Sequence, residues 1–264
     1  MSAPTPRTTN TFSAAATLCR RELVRFYRQK SRIVGVVGSP LVFWFLIGSG
    51  LGKSFRNPSA PPSMSYLEYF FPGTIVLIIL FTAIFSTISI IEDRREGFLQ
   101  SVLVAPVSNG SIALGKILGG TVLSVAQSII LLCLAPFIGI SFTVWSLVLI
   151  LLTLFVVSFG LTGLGFLIAW RMDSSQGFHA IMNLFLIPLW LLSGALFPAS
   201  GAAGWIGAIM QLNPITYGVS VLRQLLYLGS DVQLHELASI PVCMVISIAF
   251  AAASYFACSF SIKR

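Results

Sequence analysis

Leu212-Asn213-Pro214-Ile215-Thr216-Tyr217-Gly218-Val219-Ser220-Val221-Leu222-Arg223 lies shortly before the last apolar run of the chain. It is too polar for one more membrane span and too well punctuated for slack loop. Asn213 can accept a hydrogen bond from a free backbone N–H as an N-cap, and Pro214 fits the first helical turn, where its missing N–H loses nothing. A short helix over Ile215–Leu228, stopped by Gly229, follows from this. Upstream, Ala202–Gln211 is also too short to span. Irregular backbone at membrane depth survives only where protein or water covers it. Pro198–Gly229 therefore reads as a re-entrant helical hairpin dipping in from outside and broken at Asn213-Pro214, with an ordinary interfacial loop as the alternative.

The composition around this segment names the solvent. Hydrophobic residues make up 56% of 264 and charged residues 9%, and the mean hydropathy is +0.92. So little charge implies a lipid bilayer rather than water. Six runs are long enough to cross it: Ile33–Leu51, Tyr69–Ile91, Ile112–Ile138, Val144–Trp170, Phe178–Phe197 and Leu237–Ile262. Pro58, Pro61, Pro62, Pro106 and Pro198 mark junctions between them. The fold class is all-α: a polytopic membrane protein with residues 1–32 as a cytoplasmic tail and interfacial helix, and residues 33–264 as the six-span unit. The first apolar run is of full span length after a long basic segment, which argues against a cleaved signal peptide, and Ser2 to Asn10 reads as a disordered tail.

The net charge of +8 is a matter of topology rather than of nucleic acid. With the N-terminus inside, Arg7, Arg20, Arg21, Arg25, Arg28, Lys30, Arg32, Arg94, Arg95, Lys116, Arg171, Lys263 and Arg264 are cytoplasmic. Only Lys53, Arg56 and Arg223 lie outside, so both termini are expected in the cytoplasm. Between Phe12 and Arg32, Arg21, Arg25, Arg28 and Arg32 form one stripe at 100° per residue. Phe12, Ala16, Cys19, Leu23 and Phe26 cluster opposite. This predicts an interfacial helix with its basic face toward anionic headgroups, Lys30 having to snorkel.

No chemistry of catalysis stands out. His179 and His235 lack a second ligand at metal spacing. Cys19, Cys133, Cys243 and Cys258 form no framework. There is no Gly-x-Ser-x-Gly elbow and no Gly-x-x-x-x-Gly-Lys-Ser/Thr phosphate loop. No carboxylate lies mid-span, which disfavours a proton-coupled carrier. Inside the spans, Ser124, Gln127 and Ser128, and His179 with Asn183 four residues on, are candidate path residues; buried amides of this kind more often join helices. Gly160, Gly163 and Gly165 suggest close helix approach.

The loop between the second and third spans reads Glu92-Asp93-Arg94-Arg95-Glu96-Gly97-Phe98-Leu99-Gln100-Ser101-Val102-Leu103-Val104-Ala105-Pro106-Val107-Ser108. Phe98, Leu99, Val102 and Leu103 recur on one face of a short cytoplasmic helix, an apolar face for which the sequence shows no partner. Ser108 or Asn109 can cap the third span. This loop resembles that of ABC-2 type permeases, Arg-Glu-x-Gly-Thr-Leu-Glu, then Leu-Leu-Val-x-Pro-Val-Ser and a Gly-Lys pair. It matches at Arg94, Gly97, Leu99, Leu103-Val104, Pro106-Val107-Ser108 and Gly115-Lys116, and departs at Arg95, Phe98 and Gln100. Ser193-Gly194-Ala195-Leu196-Phe197-Pro198 and Leu212-Asn213-Pro214…Arg223 extend the likeness over most of the chain.

The resemblance implies the membrane subunit of an ABC exporter. Its loop helix docks on a separate cytoplasmic ATP-binding cassette subunit, which holds the ATP and Mg, and two permease chains pair as a homodimer or with a second permease. It places Arg95, Glu96, Gly97, Phe98 and Leu99 at the coupling contact, with Arg95 and Glu96 as polar contacts and Phe98 and Leu99 as apolar anchors. The scarcity of charge and the 21 Phe suit an amphiphilic substrate: a drug, a lipid, or a lipid-linked or plain oligosaccharide. A bacterial inner membrane is the expected site. The other readings are a six-span intramembrane enzyme acting on lipids, with His179 catalytic, and a non-transporting scaffold.

Overall fold

A computed structural model describes residues 11–51, 64–228 and 236–262. Arg7, Lys53, Arg56, Pro58, Pro61, Pro62, Gly229, His235, Lys263, Arg264 and the expected N-terminal tail lie outside the described residues. The described residues form helices α1 (Thr11–Arg28), α2 (Lys30–Leu51), α3 (Tyr66–Arg95), α4 (Phe98–Val104) and α5 (Asn109–Leu132). The chain continues as α6 (Val144–Trp170), α7 (Ser175–Trp190), α8 (Gly204–Leu212), α9 (Pro214–Leu226) and α10 (Ile240–Ser261). Six of them, α2, α3, α5, α6, α7 (with its extension to Ala195) and α10, are long and apolar enough to cross a membrane.

The axis of the bundle is α3, apolar all round and buried along most of its length against α2, α5, α6, α7 and α9. A helix with no polar stripe belongs in an interior. Local caps set the starts: Ser65, Ser108, Thr143 and Ser174 each accept a hydrogen bond from the backbone N–H three residues on, in α3, α5, α6 and α7. Asn109 does not cap; its amide donates to Ile262 O at 2.5 Å and ties α5 to the end of α10.

Most span limits differ from the sequence expectation: α2, α3, α5 and α7 each begin three residues earlier, at Lys30, Tyr66, Asn109 and Ser175, and α3 runs on to Arg95. The third span stops as an α-helix at Leu132, and Ala135–Ile138 is a separate 3₁₀ turn ended by Gly139 at φ 86°. Pro136 forces that break although the run stays apolar. The fifth span stops at Trp190 and gives way to a π turn, Leu191–Ala195, in which Gly194 takes φ 78°. The sixth begins at Ile240 rather than Leu237.

The interfacial helix also differs. It ends at Arg28 and α2 starts at Lys30, rather than running on to Arg32. It has three faces. Ala15, Leu18, Glu22 and Phe26 are buried, chiefly on α5, Phe12, Ala16 and Tyr27 are exposed, and Thr17, Arg20, Val24 and Arg28 form a further exposed side. The basic stripe does not all reach toward headgroups: Arg21, Arg25 and Arg32 turn onto carboxylates of α3. The physical reason is Asp93, fully buried, whose charge has to be met inside the protein.

Candidate functional site

At the basic end of the bundle, four cations and four carboxylates interlock. Both terminal guanidinium nitrogens of Arg21 bond Asp93, at 2.8 and 2.7 Å, and its Nη1 lies 3.4 Å from Glu22. Arg25 bridges Asp93 at 2.6 Å and Glu92 at 2.8 Å, with Glu96 at 3.5 Å. Arg32 bonds Glu92 at 2.7 Å. Lys116 bonds Glu22 at 2.5 Å and also Asp93. Formal charges balance four to four, so each buried charge in the cluster meets an opposite one. The hydrogen bonds from Arg21 to Asp93 hold its guanidinium above its ordinary pKa.

This cluster fixes the loop that follows. Arg94 donates to the carbonyls of Trp170 and Met172 and to Asp173. Arg95 donates twice to the Asp173 carbonyl, at 3.1 and 2.6 Å. The α3–α4 corner is thus fastened to the α6–α7 turn as well as to α1. Gly97 makes the corner at φ 77° with open space around it, so the backbone conformation is what favours glycine there.

The apolar face of α4 is not left without a partner, as the sequence had suggested. Leu99 is 3% exposed, the Phe98 ring lies under the Arg21 guanidinium at 3.6 Å, and Val102 and Leu103 pack on the core. The chain itself covers that face: α4 packs back on α3, and Arg21 of α1 reaches over Phe98. Leu99 is therefore closed to a partner. What α4 presents outward is Gln100, Ser101 and Val104, the last 86% exposed, with Glu96, 61% exposed, beside them. Arg20, Arg21, Arg25, Arg28 and Glu96 help line an adjoining cavity of about 590 Å³.

At the opposite end, the break in the fifth span frees backbone carbonyls, and the hairpin α8–α9 collects them. Asn213 Oδ1 accepts from Ile215 N at 3.0 Å as the N-cap of α9, while its Nδ2 donates to Leu189 O at 2.5 Å and Leu192 O at 3.1 Å. Pro214 opens α9. Arg223, 2% exposed, donates to Gly194 O at 2.8 Å and Glu236 at 3.0 Å and stacks over Tyr69 at 4.1 Å. Tyr69 and Tyr66 donate to Gly194 O and Leu196 O. Four side chains thus satisfy a kink that would be intolerable in lipid.

The proposed path residues are not drawn together. Gln127 Oε1 accepts from Thr82 at 2.6 Å and joins α5 to α3, as helix glue does. His179 packs edge-on against Phe85 and Phe178. Asn183 is exposed on α7.

The model of the ABC-2 type transporter family matches residues 14–227. The chain belongs to that family. It is a transmembrane permease subunit of an ABC transporter, and the permeases it is similar to include the putative transport permease ycf38 of Cyanophora paradoxa. That match is 29% identical over 209 residues, covering 78% of this chain and 71% of the relative. The probable multidrug ABC transporter permease YbhR of Escherichia coli K12 is 26% identical over 171 residues, 62% of this permease and 45% of YbhR. The daunorubicin resistance ABC transporter permease protein DrrB1 of Streptomyces coeruleorubidus is 23% identical over 228 residues, 84% of this permease and 78% of DrrB1. The matched region takes in the charged cluster, α4 and the hairpin.

Proposed function

We propose that this permease exports an amphiphilic substrate, with both termini in the cytoplasm of a bacterial cell and the chain in its inner membrane. ATP and Mg bind a separate cassette subunit, and two permease chains, identical or different, enclose the path. The observation that carries the reading is the build of α4: anchored from behind by Leu99 and Phe98 and flanked by an ion-paired corner, it turns Gln100, Ser101 and Val104 outward. A rigid lever with a free outer face is what ATP-driven closure needs to reach the membrane. Arg95, Glu96 and Gly97 shape the corner, and Phe98 and Leu99 hold the lever to the chain.

The relatives named for multidrug transport and daunorubicin resistance support a drug-like amphiphile over a sugar. The test is cellular accumulation of daunorubicin with the permease and its cassette subunit expressed together or singly. Lower accumulation only in the pair supports drug export. Equal accumulation in all three sends the substrate class to lipids or saccharides.

A further inference from the structure

We propose that Lys116 is a positioning residue for transport, the joint through which movement of α4 reaches α5. The proposal rests on the reading that the cassette subunit docks on α4. An ammonium has three hydrogens to place. Lys116 is 6% exposed, and its Nζ meets three acceptors on two other helices: Glu22 of α1 at 2.5 Å, Asp93 of α3, and Ser89 of α3 at 3.4 Å. No water is needed to complete the set.

The packing around it is too close to slide. A Cβ on Gly119 would stand 2.6 Å from Glu22 Cβ, and one on Gly115 2.7 Å from Ala15 O. The two glycines let the α1 backbone lie against α5, which brings the Glu22 carboxylate to the lysine. Any shift of α5 relative to α1 or α3 would strand a buried charge, which is strongly disfavoured. The inner ends of α1, α3 and α5 therefore move as one body. Only Glu96 and Gly97 separate α3 from α4, so a push on α4 arrives at Asp93 and passes through Lys116 into α5. That helix has 24 residues, about 36 Å of rigid length, and ends at the exposed Cys133.

Cys133 gives the readout. The permease with Cys19, Cys243 and Cys258 replaced by Ala is labelled at Cys133 with a bimane maleimide and assembled with the cassette subunit in lipid nanodiscs. Emission is read with and without ATP and vanadate. The expected result is a nucleotide-dependent shift in this background and in Lys116→Arg. In Lys116→Met/Glu22→Gln, which removes one cation and one anion together, the shift is lost while the cassette subunit still co-purifies and hydrolyses ATP. A merely structural role would be repaired by this charge-balanced pair, and the shift would persist; that result overturns the proposal. So does a labelled background that never responds to nucleotide. If the double variant does not reach the membrane, Lys116→Gln/Glu22→Gln, also charge-balanced, carries the same comparison. Failure of the cassette subunit to co-purify even with the background permease would count against the docking reading instead.

Discussion

Arg21 grips Asp93 with both arms of its guanidinium, at 2.8 and 2.7 Å, across 72 residues of sequence, and the same group sits over the Phe98 ring at 3.6 Å. One side chain thus ties α1 to the end of α3 and to α4. Arg21→Lys keeps the charge but loses the fork and the stacking surface. It is expected to cost roughly 1.5–3 kcal/mol, the range for a hydrogen bond to a charged group. Asp93→Ala takes the shared, fully buried anion from Arg21, Arg25 and Lys116 at once and is expected to cost about 3–5 kcal/mol. Thermal unfolding in detergent should rank wild type, Arg21→Lys and Asp93→Ala in that order; equal midpoints would refute the cluster as a stabilising unit.

The seat of α1 on α5 gives a second, steric prediction. Gly115→Ala puts a methyl 2.7 Å from the Ala15 carbonyl oxygen, a backbone atom, so α1 has to lift. Gly35 on α2 has nothing within 4 Å of such a methyl, and Gly35→Ala should be neutral or stabilising by up to about 1 kcal/mol through helix propensity. Protease accessibility of α1 in membranes should rise for the first substitution only. A rise in both, or in neither, would contradict the close approach.

Some of this was readable from the chain and some was not, for definite reasons. The fourth span begins and ends where expected, at Val144 and Trp170, because an N-cap (Thr143) and an apolar run mark it together. Asn213 as a cap is local information, two residues from its partner. Its other duty, to Leu189 and Leu192, depends on a kink more than 20 residues away, which no spacing rule encodes. The same holds for Lys116, Glu22 and Asp93: each was visible as a charge near a span end, but their meeting is tertiary. Amphipathicity in α4 showed that one face needs cover without saying what supplies it, and the answer is tertiary: α3, with Arg21 of α1 over Phe98.

The hairpin offers a way to separate the two duties of Asn213. Asn213→Ala removes the cap, about 1 kcal/mol, and leaves two buried carbonyls without donors, each costing roughly 1–3 kcal/mol. Asn213→Asp retains an excellent cap but turns a donor into a buried carboxylate facing those carbonyls. If the kink matters more than the cap, Asp is the worse substitution, in membrane accumulation and in transport alike. An Asp variant equal to wild type would mean that capping alone explains the residue.

Orientation can be read with cysteine reporters in a background lacking the four native cysteines. Gln211, exposed at the end of α8, should react with an impermeant maleimide in intact cells. Ser101, exposed on α4, should react only after permeabilisation. The asymmetry of basic residues requires this result, and labelling of Ser101 from outside would reverse the topology and remove α4 from the cytoplasm.

Docking is best tested on the side of α4 that the chain leaves open. Phe98→Asp is a poor probe, because Phe98 lies beneath Arg21. A carboxylate there would disturb or re-pair the cluster, and lost binding would report on folding as much as on contact. Val104 is 86% exposed and touches little within the chain, so Val104→Asp should leave membrane accumulation within error of wild type. If the cassette subunit buries this face, the new carboxylate loses its water on docking, and an unpaired polar group in such a place costs several kcal/mol. Co-purification of the cassette subunit should then fall by at least tenfold, a factor worth about 1.4 kcal/mol. Gln100→Ala, on the same face but without a charge, should change recovery little. Undiminished recovery with Val104→Asp would move the docking surface away from α4, to the cavity lined by Arg20 and Arg28 or to the α6–α7 turn at Asp173.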